Sequence, residues 1–185
     1  MADHTHTGDS STHSHTENPS HIAHKDTGTQ EIGCMVITCS DTRTPETDTS
    51  GQLIQQLLNQ RHHRVSSYTI TKDEPTEISR LLQEAASNDS VDTIIVNGGT
   101  GISRRDATFE AIDALLEKRL DGFGEIFRYL SYKEIGSPAM LSRATAGLYR
   151  GKVIFSVPGS RAAVQLAMEE LILPEMGHIV GEMRK

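Results

Sequence analysis

Long apolar runs are missing from this chain. No stretch approaches the roughly 20 apolar residues that span a bilayer, and the N-terminal segment has no apolar signal-peptide core. The expectation is a cytoplasmic protein without a membrane partner. An excess of positive charge is missing too: 18 Lys and Arg stand against 25 Asp and Glu, for a formal net charge of -7. That balance argues against nucleic acid as the main partner. Cysteine is scarce, and the only two, Cys34 and Cys39, fall on one predicted strand at an odd spacing. Their side chains then face opposite ways and do not bridge, so they read as small core residues in a reducing compartment. Neither a G-x-G-x-x-G fingerprint nor a Walker A loop occurs, which disfavours NAD binding and ordinary P-loop ATPase activity. Beyond the first thirty residues only His62, His63 and His178 remain, a set that does not suit acyl transfer, and the adjacent pair reads as a solvated helix end. No internal repeat is visible.

What is present is enough for one α/β domain, since 185 residues are too few for two ordinary ones. Residues 1–30 form a polar tail rich in His, Thr and Ser that cannot bury enough to fold alone. Its pairs His4/His6 and His13/His15 invite a metal-chelating reading, but no apolar support surrounds them, and a solvated tail is the preferred expectation. From residue 31 the character changes. The continuous apolar run over 32–39 suits a strand of a parallel sheet, buried on both faces. A helix follows with Leu53, Ile54, Leu57 and Leu58 inward and Asp48 or Ser50 as cap, then a more polar strand over 65–70, nearer an edge. Pro75 opens a helix carrying Ile78, Leu81, Leu82 and Ala85.

The next unit, 91–110, is an apolar run that stops in a glycine-rich turn and leads into a helix expected over 108–118, capped by Asp106 or Thr108. Residues 120–124 read as a break, and 125–134 as a further helix with Ile126, Phe127, Leu130 and Tyr132. Residues 144–157 read as a β-hairpin whose second arm rejoins the sheet. Ser160 caps the helix behind it, which Pro174 kinks or ends.

Alternation of strand and helix predicts a three-layer, mostly parallel, doubly wound α/β sheet with a small hairpin extension, whose post-strand loops gather on the carboxyl edge. That rim would hold residues 41–50, Asp73, residues 98–106 and residues 158–160. Gly98, Gly99 and Gly101 free backbone N–H groups to point into one cavity, as phosphate-binding loops do. Thr100, Ser103 and Ser160 add hydroxyls. Asp73 and Asp106 beside an anion make sense with a divalent cation between them, and the set suits phosphoryl or nucleotidyl transfer. A tight turn with a capping Asp remains the alternative at this point, and each Asp taken alone is also explained as a loop or cap carboxylate.

Taken in order, residues 40–44 (SDTRT), 48–51 (DTSG), 97–101 (NGGTG), 106–108 (DAT), 122–125 (GFGE), 141–144 (LSRA) and 158–160 (PGS) resemble the MoaB/MogA family of molybdenum cofactor biosynthesis proteins, related to the gephyrin G domain. The first signature and residues 127–136 are most similar to the MoaB branch, and the likeness covers 31–185. It implies a molybdopterin-binding α/β domain over 31–185 that assembles as a homotrimer or hexamer and works with a partner protein for molybdenum insertion. Active members adenylylate molybdopterin: its terminal phosphate attacks the α-phosphate of Mg-ATP and pyrophosphate leaves. Other MoaB-branch members bind or scaffold without catalysis. The resemblance puts Asp73 and Asp106 on catalytic and Mg2+-binding positions. It puts Ser40, Asp41, Asp48, Ser50, Gly51, Gly98, Gly99, Thr100, Gly101, Ser103, Pro158, Gly159 and Ser160 on molybdopterin- and ATP-binding loops. Phe109 departs from it, standing where the family usually has Pro.

Overall fold

The computed structural model describes residues 31–185. The histidine-rich segment, with the chelating reading of His4/His6 and His13/His15, lies outside the described residues. Strand β1 (Gly33–Cys39) is buried at all seven positions. It runs parallel to β2 (Arg64–Thr71) on one side and to β3 (Thr93–Asn97) on the other, and β3 is parallel to β6 (Lys152–Val157). Strands β5 (Thr145–Tyr149) and β4 (Lys118–Arg119) extend this sheet antiparallel, giving the order β2-β1-β3-β6-β5-β4. The polar strand β2 is one of the two edge strands, as its sequence suggests.

Period-two alternation along β1 feeds two apolar layers. Cys34 and Val36 pack with Leu53, Ile54 and Leu58 of α1 (Thr49–Gln60), Phe127 of α4 (Asp121–Ile135), Val164 of α5 (Arg161–Ala167), and Met176 and Val180 of α6 (Leu173–Met183). Met35, Ile37 and Cys39 face the other way, against Ile78, Leu81 and Leu82 of α2 (Pro75–Ala86) and Ile112 of α3 (Thr108–Asp113). The chain is therefore a mixed six-stranded sheet with helices on both sides. The two free thiols sit in opposite layers.

Several elements depart from the sequence expectations. Helix α3 stops at Asp113 instead of continuing to 118, because residues 117–120 bond to the hairpin: Glu117 N–H donates to Leu148 O and Leu120 N–H to Ala146 O, both at 2.8 Å. Residues 120–124 are no break, since α4 begins at Asp121 and its first turn contains Gly122 and Gly124. Glycine costs roughly 1 kcal/mol per helical position, and packing of Phe123 against Phe155, with ring centroids 5.3 Å apart, offsets it. Of the apolar residues on α4, Phe127 is buried while Ile126 and Tyr132 are exposed. The α5 helix passes through a π-helical turn at Met168–Ile172 into α6, which absorbs Pro174 in the first turn of α6. His63 is not simply solvated: its Nδ1 accepts the Ile32 N–H at 3.3 Å, and burial lowers its pKa. The hairpin turns at Arg150 and Gly151, both at positive φ, which matches the twist of the strands it joins.

Burial pushes the pKa of each thiol, Cys34 and Cys39, up to about 12. Neither is expected to react with a disulfide reagent at pH 8 in the native protein, and both react once it is denatured. Thiol titration with and without guanidinium checks this.

Candidate functional site at the carboxyl edge of the sheet

The floor of the rim is a hydrogen-bond network centred on Asp48, which has no exposed surface. As N-cap of α1 its Oδ1 accepts the Gly51 N–H at 3.0 Å and an Arg43 Nη1–H at 3.1 Å. Its Oδ2 accepts the hydroxyls of Thr38 at 2.5 Å and Tyr68 at 2.7 Å. Asn97 Nδ2 donates in turn to Thr38 Oγ1 at 2.8 Å. Arg43 Nη2 and Ser50 Oγ both donate to Gly159 O at 2.8 Å. One network thus reaches the carboxyl ends of β1 and β3, the middle of β2 and the loop after β6. Burial works against ionisation of Asp48, but the bonds from Gly51, Thr38 and Tyr68 and the Arg43 charge outweigh it and hold its pKa below the ordinary value.

The glycine turn rests on this floor. Gly98 N–H donates to Val157 O at 3.1 Å, and Gly98 and Gly99 have φ of 101° and 61°. A Cβ on Gly99 would strike Thr108 Oγ1 and lie 2.6 Å from Asp73 Oδ2. One on Gly159 would stand 3.0 Å from Gly98 Cα, so two loops far apart in sequence touch backbone to backbone. Among the described residues, no protein acceptor takes the N–H of Gly99, Thr100, Gly101 or Ile102. Four successive unclaimed amides at a glycine turn can collect phosphate oxygens.

Two carboxylates flank that turn. Asp73, almost fully buried, uses Oδ1 to accept the Thr108 hydroxyl at 2.7 Å and the Ala107 N–H at 3.2 Å. Asp106 uses Oδ2 to accept the Ser103 N–H at 3.0 Å and the Ser103 hydroxyl at 2.6 Å. Asp73 therefore does what Asp106 or Thr108 was expected to do: Ala107, with no side-chain cap bond of its own, occupies the N-cap position, and its N–H is held by Asp73 from the loop after β2. Each carboxylate keeps a second oxygen, Asp73 Oδ2 and Asp106 Oδ1, with no donor among the described residues.

The remaining expected site residues divide by depth. Asp48, Ser50 and Gly51 are buried and shape the rim from below. Ser40 Oγ accepts the N–H of Thr42 and of Arg43, setting the turn after β1. Asp41 is paired with Arg105, which also reaches Glu74 at 2.7 Å, so three loops are laced across the rim. The carbonyls of Thr100 and Gly101 are held by Arg143. Ser160 caps α5, accepting the Ala163 N–H at 3.3 Å, and Pro158 and Gly159 complete the loop leading to it. Sequence reasoning gave no role to Thr38, Tyr68, Asn97, Arg43, Arg105 or Arg143. The only available signal was that Arg43, Asn97 and Arg143 lie within the family-like stretches. Phe109 is the second residue of α3, and its ring carries the Arg143 guanidinium at 4.7 Å.

Residues 35–178 match the family model described as "Probable molybdopterin binding domain". The chain belongs to this family. It is 52% identical over 163 residues to molybdenum cofactor biosynthesis protein B of Bacillus cereus, covering 88% of this chain and 96% of that protein. The Bacillus subtilis protein of the same name is 50% identical over 163 residues, with the same coverage. Among solved structures, a molybdenum cofactor biosynthesis protein B superimposes with TM-score 0.82 at 52% identity, over 84% of this chain and 97% of that one. The tungsten cofactor synthesizing protein MoaB from Pyrococcus furiosus gives 0.76 at 40% identity, over 84% and 99%. The MoaB/MogA family membership that the motifs suggested is thus shown across the described fold.

Asp48→Asn would leave one of the hub's donors facing an amide N–H and is expected to destabilise the fold by about 2–4 kcal/mol. Because the folded pKa lies below the unfolded value of about 3.9, the parent's advantage is full above about pH 5 and is lost as pH falls below that. Urea unfolding at pH 7 and pH 3 should show a larger difference between parent and variant at the higher pH than at the lower.

Proposed function

We propose that this protein takes part in molybdenum cofactor biosynthesis by binding molybdopterin and adenylylating it with Mg-ATP. The observation that carries the reading is the row of unclaimed amides at 99–102, set between two carboxylates that each keep one oxygen uncommitted. Among the described residues no three His, Cys, Asp or Glu side chains cluster as a complete metal site. That suits Mg2+, which typically binds through one or two carboxylates and fills its shell with water and substrate phosphates. Asp73 Oδ2 and Asp106 Oδ1 would hold the ion, which lowers the charge on the phosphates.

The nucleophile is already an anion, the terminal phosphate of molybdopterin, so no general base is needed. A new bond forms between its oxygen and the α-phosphorus of ATP, the α–β bond breaks, and pyrophosphate departs with the electron pair. The amides of 99–102 and the Ser160 helix terminus orient phosphate oxygens. Catalysis is then positioning by the backbone amides together with charge stabilisation by the ion that the two carboxylates would hold.

Pyrophosphate release on mixing the protein with molybdopterin and Mg-ATP tests the reading. Asp73→Asn and Asp106→Asn should each lower kcat by about a hundredfold or more. Tight molybdopterin binding with no pyrophosphate released, and no effect of either variant on affinity, would instead support the non-catalytic, scaffolding alternative.

A homo-oligomer, trimer or hexamer, is proposed on a separate observation. Ile126, Tyr129, Tyr132 and Ile135 of α4 are each at least half exposed, and Met140 and Leu141 beside them extend the same apolar surface. Such a patch suits a second copy of the chain. Light scattering should report a multiple of the chain mass for the parent, falling toward the monomer for Tyr132→Glu.

A further inference from the structure

Arg143 follows the 3-10 turn Ser137–Leu141 and precedes β5, yet its side chain turns back across the rim onto the glycine turn. Its Nε donates to Thr100 O at 2.9 Å and its Nη2 to Gly101 O. Nη1 pairs with Glu110, and the guanidinium plane lies over the Phe109 ring. All three nitrogens are therefore engaged, the charge is balanced locally, and three-quarters of the side chain is covered. This residue has little left to offer a ligand.

What it does to the turn follows from peptide geometry. In a planar trans peptide the C=O of one residue and the N–H of the next point in opposite directions. Holding Thr100 O and Gly101 O toward Arg143 therefore turns the N–H groups of Gly101 and Ile102 away from it, and these are two of the four amides that no acceptor among the described residues takes. Glycine at 98, 99 and 101 leaves this turn many alternative backbone conformations, so without an external restraint its amides would not share one direction. A planar fork bonding two carbonyls at once supplies that restraint, whereas a lysine ammonium on a flexible stem does not.

We infer that Arg143 is a positioning residue for phosphate recognition: by gripping the carbonyls of Thr100 and Gly101 while anchored on Glu110 and Phe109, it aims the amides of Gly101 and Ile102 at the phosphate oxygens of the nucleotide. This rests on the nucleotide-binding reading of the same turn.

The test compares the full-length parent with Arg143→Lys and Arg143→Ala. Calorimetry measures affinity for the Mg2+ complex of α,β-methylene-ATP, pyrophosphate release gives kcat and KM, and thermal unfolding serves as control. Lysine keeps the charge and most of the stem. The expected result is that Arg143→Lys melts close to the parent but binds the analogue roughly tenfold to a hundredfold more weakly, with the loss carried in kcat/KM and no rescue over Arg143→Ala. Affinity of Arg143→Lys equal to the parent would overturn the inference, and so would a loss matched by a large fall in melting temperature, which would make the role structural only. A parent that binds the analogue but releases no pyrophosphate would remove the adenylylation reading while leaving the affinity comparison decisive. A parent that binds no analogue would overturn both.

Discussion

Asp48, the N-cap of α1, carries a charge beside the carboxyl end of β1, and it has no exposed surface. Burying a carboxylate is costly unless its oxygens are saturated, and here four donors from Thr38, Arg43, Gly51 and Tyr68 saturate them. The consequence reaches beyond Asp48 itself. Those donors come from β1, the loop after it, α1 and β2. Through Thr38 the network extends to Asn97 at the end of β3, and through Arg43 to Gly159 after β6. Four strands are thereby referenced to one atom pair. A rim built this way is rigid before any ligand arrives, which is the condition for catalysis by positioning.

Above that floor the turn at 98–101 is the opposite kind of structure, all backbone and no side-chain bulk. Its geometry is imposed from outside: Asp73 and Thr108 fill the space where Gly99 lacks a Cβ, Gly159 presses on Gly98, and Arg143 takes two carbonyls. The surrounding charges are paired across loops, Arg105 with Asp41 and Glu74, Arg143 with Glu110. Exposed pairs of this kind add little stability one by one. Among the described residues, the groups that keep no partner on this rim include the backbone N–H groups of 99–102 and one oxygen each of Asp73 and Asp106.

Much of this was legible in the residue pattern. The unbroken apolar run at 32–39 announced a central strand, the polarity of 65–70 an edge, and the odd spacing of Cys34 and Cys39 their separation into two layers. Asp48 and Ser160 as caps and Pro75 at a helix start follow from local backbone chemistry, and the structure has them there. The strand at 118–119 was not legible, because Lys118 and Arg119 have no apolar pattern and pair only when the hairpin lies beside them. Nor was the helical state of Gly122 and Gly124, which depends on Phe123 finding Phe155 across 32 positions of sequence.

The sequence by itself determined the order of the main strands and helices, most of the buried faces and the family to which the chain belongs. Those properties are carried by residues within one turn or one strand of each other, where periodicity and capping act. Only the tertiary structure decided that Asp73 holds the start of α3, that Asp48 is a buried hub, and that Arg143 grips the glycine turn. Each of those joins partners from separate elements, and no local pattern encodes a bond between a carboxylate and a donor that only the folded sheet brings within reach.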